Sequence, residues 1–247
     1  MKLLENGVTL EDNERLDDLR RNGYRLIQNP DLFSFGTDSV VLSSFCKIKR
    51  GETALDLCTG NGVIPILLCA KTEARHVTGI ELQHESVVLA QKNVLLNGLA
   101  DKITIHEGDI KDAKKLYGAS FDVVCANPPY ISAGDKNMNT KKAIARHEYF
   151  CTLNDVVKSA ADCLRFGGRF YMVHRPQRLS DILCSFREFK LEAKTLRFVH
   201  SRIDKPPALI LVEGLRGGLP GLEALQPLIL YGENGEPTKE LREIYGE

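Results

Sequence analysis

The sequence predicts an α/β protein: a mostly parallel sheet with helices on both faces and an antiparallel pair of strands at one end. Three observations predict it. From residue 52 onward, short apolar runs of strand character alternate with helical stretches, as parallel strands joined by crossover helices require. Near the C-terminus the alternation stops. Runs 192–199 and 208–212 follow each other with only a loop between them, which implies an antiparallel hairpin. Finally, successive runs end in Asp56, Glu81, Asp109 and Asn127, at the carboxyl edge where open α/β sheets bind ligands.

Composition sets the outer limits. The 247 residues can bury one large core, or one core with a small appendage. Lysine plus arginine equals aspartate plus glutamate at 33 each, so no global field draws in a polyanion and any nucleic acid would have to meet a local patch. No run of about 18 apolar residues is present, and the start MKLLENGVTLEDNERLDD is too acidic for a secretory signal, so no membrane partner is expected. The seven cysteines form no C-x-x-C pair, which disfavours zinc or another metal. Their odd number and apolar neighbours favour small buried thiols in a reducing, cytoplasmic setting.

In chain order, residues 1–23 read as a short polar lead-in. Residues 24–28 suit a strand stopped by Asn29-Pro30. Phe33-Ser34-Phe35-Gly36-Thr37-Asp38 then leads into the apolar stretch 39–45, a helix that Thr37 or Asp38 would cap. Free amides at that start would favour an anionic group, although an ordinary capped helix explains the same letters. Strands are expected at 53–57, 77–82, 103–106, 121–126 and 169–174. Helices are expected at 85–96, stopped by Asn97-Gly98, at 154–164 with Asn154 as cap, and at 178–189. Residues 1–50 would pack a strand and a helix on the core, 51–216 would form the core itself, and 217–247 would return as a tail with an extended piece at 227–231 and a short helix at 238–245.

The first strand runs into Asp56-Leu57-Cys58-Thr59-Gly60-Asn61-Gly62-Val63-Ile64-Pro65. Gly60 and Gly62 at a strand-to-helix turn let the backbone approach a ligand closely, although a plain tight turn needs the same residues. The dinucleotide fingerprint is absent, since Pro65 stands where its third glycine would be. Asp56 beside the turn would repel a pyrophosphate and welcome a cation. Glu81 follows Gly62 at a spacing suited to a carboxylate that accepts from ribose hydroxyls, and Asp109 closes the third strand. Any one of these carboxylates could be a solvated strand end; four polar strand ends in succession favour a site.

Asn127-Pro128-Pro129-Tyr130 closes the fourth strand. Two prolines cannot donate to a sheet ladder, so the chain leaves as a stiff extended loop. A surface turn uses similar letters. The loop displays a side-chain amide, a backbone carbonyl with no adjacent amide to occupy it, and an aromatic ring, a set able to hold a planar substrate bearing an amino group.

Together these residues resemble the class I S-adenosylmethionine-dependent methyltransferases. More closely, the chain resembles the bacterial tRNA1(Val) (adenine-37-N6)-methyltransferases over most of its length. The closer likeness is carried also by Phe33–Asp38, Arg146-His147-Glu148 and His200-Ser201-Arg202-Ile203-Asp204-Lys205-Pro206-Pro207. The resemblance implies a Rossmann-like, seven-stranded twisted sheet with an antiparallel last strand, S-adenosylmethionine as cofactor, and tRNA as partner, the acceptor being the adenine just 3′ of the anticodon. It places Thr37, Asp56, Gly60, Gly62, Glu81, Asp109 and Asn127 at the cofactor. Asn127, Pro128 and Tyr130 fall to catalysis, and Pro129, Tyr130, Lys141, Lys142, Arg146, His147, Arg202 and Lys205 to the substrate.

The chemistry agrees with that expectation. An exocyclic adenine nitrogen is a poor nucleophile because its lone pair is delocalised into the ring. The carbonyls of Asn127 and Pro128 could each accept one of its N–H bonds and turn the lone pair toward the sulfonium methyl, with no general base. Tyr130 would stack on the extruded base, a contact worth about 1–3 kcal/mol. The basic segment 131–150 would meet phosphates or act as a lid. A protein glutamine N5-methyltransferase uses the same loop for the same kind of amine but typically adds an N-terminal helical domain, for which about 50 residues leave little room. A DNA adenine methyltransferase would need a target-recognition domain that this length does not supply. A ribosomal guanine N2-methyltransferase and a cofactor-binding module that moves no methyl are the further alternatives.

Overall fold

The computed structural model describes residues 2–32, 35–129 and 151–247. Tyr130, Lys141, Lys142, Arg146 and His147 lie outside the described residues.

The N-terminal stretch departs from expectation. Rather than a lead-in, residues 1–23 supply β1 (Lys2–Leu3), paired antiparallel with β2 (Thr9–Leu10), and β3 (Arg15–Asp18), paired antiparallel with β4 (Arg25–Gln28), the strand expected at 24–28. Strands this short carry too little alternation to stand out from polar neighbours. They are held from outside, by the long helix α3 introduced below. Asn97 presents Oδ1 to the Arg25 amide at 2.8 Å and Nδ2 to the Arg25 carbonyl at 2.7 Å. One turn earlier, Asn93 does the same for Ile27 at 2.6 and 3.0 Å. Two asparagines four residues apart on one helix face thus give β4 the ladder that a neighbouring strand would give.

The main sheet follows. After α1 (Thr37–Phe45) come β5 (Thr53–Leu57), α2 (Val63–Lys71), β6 (His76–Glu81), α3 (His84–Leu96), β7 (Ile103–Glu107), α4 (Ala113–Tyr117) and β8 (Phe121–Ala126). Beyond the undescribed segment stand α5 (Leu153–Cys163), β9 (Leu164–His174), α6 (Leu179–Glu188), β10 (Leu191–His200) and β11 (Pro207–Arg216). In space the seven long strands run β7-β6-β5-β8-β9-β11-β10. Contacts are parallel from β7 to β9, and β11 is antiparallel to both β9 and β10. This is the Rossmann-like class I arrangement. The two-residue strands β12 (Glu223–Ala224) and β13 (Leu228–Ile229) pair with the outer edge of β10, extending the sheet to nine, and α7 (Lys239–Tyr245) closes the chain against α1.

Period-two alternation sorts the core into two layers. Ala54, Val123, Cys125, Tyr171 and Val173 face α1, α2 and α3, whereas Leu55, Leu57, Val124, Ala126, Phe170 and Met172 face α5 and α6. Both faces are therefore dry, which is why these strands read as continuous apolar runs.

Three local expectations are corrected. Helix α1 starts from an extended Gly36 with no side-chain cap; Asp38 Oδ1 instead accepts the adjacent Ser39 amide at 2.9 Å. Helix α5 is capped by Thr152, not Asn154: the Thr152 hydroxyl accepts the Asp155 amide at 3.2 Å while Asp155 Oδ2 accepts the Thr152 amide at 2.9 Å, a reciprocal capping box. Strand β9 begins at Leu164 rather than after the glycines. Leu164 pairs with Phe121 and Arg169 with Val123, so the intervening residues bulge out at a register shift where Gly167 adopts φ 76°.

Candidate active site

The turn from β5 into α2 is left-handed at Cys58 (φ 61°), Gly60 (56°) and Gly62 (82°). The glycines serve different ends. A Cβ on Gly62 would lie 3.2 Å from Ala90 Cβ, so this glycine lets α3 pack close, whereas a Cβ on Gly60 would meet nothing within 4 Å. The turn is tied to its neighbours from below and from the side. Thr59 donates its amide to the Ile80 carbonyl at 3.0 Å, and the Asn61 carbonyl accepts Asn93 Nδ2 at 3.0 Å. Asn93 thereby links β4, α3 and the turn.

Asp56 lies beneath this turn and is wholly buried. Its carboxylate accepts the Thr59 hydroxyl at 2.6 Å and the Cys125 thiol at 3.3 Å. Burial pushes its pKa up to about 7, against the lowering effect of those two donors, and the Glu81 charge adds to the rise. Glu81, at the end of β6, is also buried. One carboxylate oxygen accepts the Gly60 amide at 2.9 Å and the other accepts the amides of Leu82 and Gln83, each at 2.9 Å. The two strand-end loops are therefore clamped by a single carboxylate.

These residues fit a cationic nucleoside. The space over Gly60 is open, two acidic groups lie under and beside it, and the buried Asn61 Nδ2 has no hydrogen-bond partner among the described residues. A phosphate at the same place would meet Glu81.

Asn127 continues β8. Alternation puts it on the same face as Cys125, toward α1, and its Nδ2 donates to Ser39 Oγ at 3.1 Å. Pro128 and Pro129 then turn toward the other layer, where they line a cavity of about 240 Å3 with Thr152, Val156, His174 and Arg178. His174 is neutral: burial holds its pKa down at about 4, with the Arg178 charge helping. Its Nδ1 accepts the Arg175 amide at 2.8 Å, so the ring proton sits on Nε2. The neighbouring Cys151 thiol, with burial adding to its effect, holds the Cys58 thiol well above its usual pKa.

The remaining expected residues are spread along the same sheet edge. Thr37 opens α1, against which α7 packs. Asp109 follows β7 and is engaged locally, with the Lys111 amide at 2.9 Å and its ammonium at 3.1 Å. Because β11 is antiparallel to β10, the loop between them, with exposed Arg202 and Lys205, also lies on this edge, beyond β9 and outside the cavity. Sequence reasoning missed Ser39, Thr59, Asn93, His174 and Arg178. Only His174 carried a usable signal, as the last residue of an expected strand at the ligand-binding edge.

Residues 24–200 match the family model of the methyltransferase small domain. Among curated proteins, the chain is 32% identical over 139 residues to a tRNA1(Val) (adenine(37)-N6)-methyltransferase of Mannheimia succiniciproducens, covering 56% of this chain and 57% of that protein. A protein of the same name from Parabacteroides distasonis is 25% identical over 178 residues, 72% of this chain and 75% of that one. Among solved structures, a predicted O-methyltransferase from Agrobacterium tumefaciens superposes with a TM-score of 0.70 at 21% identity, covering 84% of this chain and 95% of its own. M. jannaschii TYW2, solved in complex with AdoMet, gives 0.58 at 12% identity, covering 84% and 87%.

Proposed function

The chain belongs to the methyltransferase small-domain family, and we propose that it methylates the exocyclic N6 of an adenine in a tRNA anticodon loop. The observation that carries this reading is the position of Asn127-Pro128-Pro129, between the Glu81-clamped glycine turn and the cavity lined by His174 and Arg178. The names of the relatives from Mannheimia succiniciproducens and Parabacteroides distasonis support adenine 37 of tRNA1(Val) as the acceptor.

S-adenosylmethionine supplies an electrophilic methyl on a sulfonium. Glu81 accepts from the ribose hydroxyls and Gly60 admits the nucleoside; Asp56 contributes negative potential from below, and Thr37, Gly62 and Asp109 complete the edge. Asn127 Oδ1 and the Pro128 carbonyl take the two N–H bonds of the amine and turn its lone pair out of conjugation. This orients the nucleophile for in-line displacement. Pro129 and Tyr130 flank the extruded base. The ammonium product is a strong acid and loses its proton to solvent. Lys141, Lys142, Arg146, His147, Arg202 and Lys205 meet the RNA.

The test is transfer of labelled methyl to unmodified total tRNA, with a release factor offered as competing acceptor. Label in tRNA, mapping to an adenine beside the anticodon, is the expected result. Label in the protein with inert tRNA would replace the acceptor by a glutamine carboxamide.

A further inference from the structure

We propose that Ser39 is a positioning residue that anchors the Asn127 side-chain amide where the methyl acceptor is held. The inference rests on the methyl-transfer reading above and deepens it. An unanchored asparagine side chain samples several rotamers, and a hydrogen bond to a buried hydroxyl confines it to one. A clamp for an amine needs that side chain held still, because the amine must meet both carbonyls at once.

Asn127 Nδ2 donates to Ser39 Oγ at 3.1 Å, which turns Oδ1 away from α1. Ser39 is buried to 2% exposure, so water does not compete for the bond. Its support is fixed as well. Asp38 Oδ1 accepts the Ser39 amide, and Tyr245 of α7 packs against the core cluster that holds Val40 and Val41. Further along, Lys71 Nζ reaches the Val40 carbonyl at 3.2 Å and Ser43 Oγ at 3.0 Å. The residues that follow Ser39 are thus anchored to the far end of α2, remote from the reacting atoms. The neighbouring Val40, Val41 and Leu42 belong to the apolar core, where alanine would serve packing as well as serine.

Ser39→Ala is expected to lower kcat about tenfold, with KM for tRNA and cofactor affinity within about twofold, as loss of one orienting hydrogen bond requires. In an Asn127→Ala background the same change should alter turnover by less than about twofold, since the residue acts through Asn127. Equal losses in both backgrounds, or a loss centred on cofactor affinity, would overturn the proposal. Ser39→Cys, near in size but a weaker acceptor, should give a smaller loss of the same kind and guards against a folding defect in the alanine variant. The side-chain amide protons of Asn127, followed by NMR in the free protein, should shift and exchange faster in either variant; unchanged resonances would also refute it. A wild-type chain that methylates no tRNA would remove the adenine reading while leaving the amide spectrum to decide the role of Ser39.

Discussion

Glu81 accepts the amides of Gly60, Leu82 and Gln83, so the direction of its carboxylate is set before any ligand arrives. Glu81→Ala is expected to weaken cofactor binding by at least about tenfold and to lower Tm, because three backbone amides lose their shared acceptor. Calorimetry and thermal melts check both; normal cofactor affinity would mean the ribose lies elsewhere. Asn127→Ala should behave in the opposite way, lowering turnover by about a hundredfold or more with cofactor affinity kept. Unchanged turnover would end the amine-clamp mechanism. Residues such as Asp56, Glu81 and Asn127 are legible in the sequence because a strand's end is marked by the turn letters after it. Their partners are not. Cys125 reaches Asp56 across 69 residues and Ser39 reaches Asn127 across 88, and such pairs exist only once the sheet has formed.

Among elements, α5 links stability to the acceptor side. Its Thr152–Asp155 box fixes the start of the helix, and Thr152 lines the cavity. Thr152→Ala is expected to cost about 1 kcal/mol, read as a lower urea midpoint with unchanged m-value. Because the cavity wall frays with the cap, KM for the acceptor should rise while cofactor affinity does not. The strand–helix alternation is legible because buried parallel strands are apolar throughout and helices stop at glycines. The box is visible too, as a threonine three residues before an aspartate, but Asn154 competes with nearly equal capping propensity and geometry decides between them. Of the N-terminal pairs, β4 is legible as a strand and the shorter β1, β2 and β3 are not. The second ladder of β4 comes from a helix, through Asn93 and Asn97, and no strand pattern encodes that.

At the scale of the whole molecule, 33 basic residues balance 33 acidic ones, so attraction for RNA has to come from where charges are placed. Topology places some of them. The reversal of β11 brings the 201–206 loop to the edge where β5, β6 and β8 end, and Arg175 Nη1 reaches the Ala208 carbonyl at 3.2 Å beside it. Replacing Arg202 and Lys205 together by alanine should reduce the salt slope of tRNA binding by about one to two units and leave cofactor binding unchanged. An unaltered slope would take this loop out of the interface. The hairpin itself is readable from two runs without an intervening helix. Its insertion of β11 between β9 and β10 is not, since spatial order depends on which edge is free when the hairpin docks.

Asp56 has a consequence for how the protein tells its methyl donor from the spent product. The donor carries a sulfonium charge and the demethylated thioether does not. In the folded protein Asp56 has its pKa raised from 3.8 to about 7. Its contribution to folding is thus greatest below 3.8 and is lost as pH rises through about 7. A bound cation favours the ionised form, so donor binding should expel a proton that product binding does not. The ratio of product to donor dissociation constants should therefore grow between about pH 6 and about pH 8, relieving product inhibition on the alkaline side. Titration calorimetry in buffers of different ionisation enthalpy measures both the ratio and the released proton. Asp56→Asn should flatten the pH dependence; a flat ratio in the wild-type chain would show that this buried carboxyl does not sense the sulfonium.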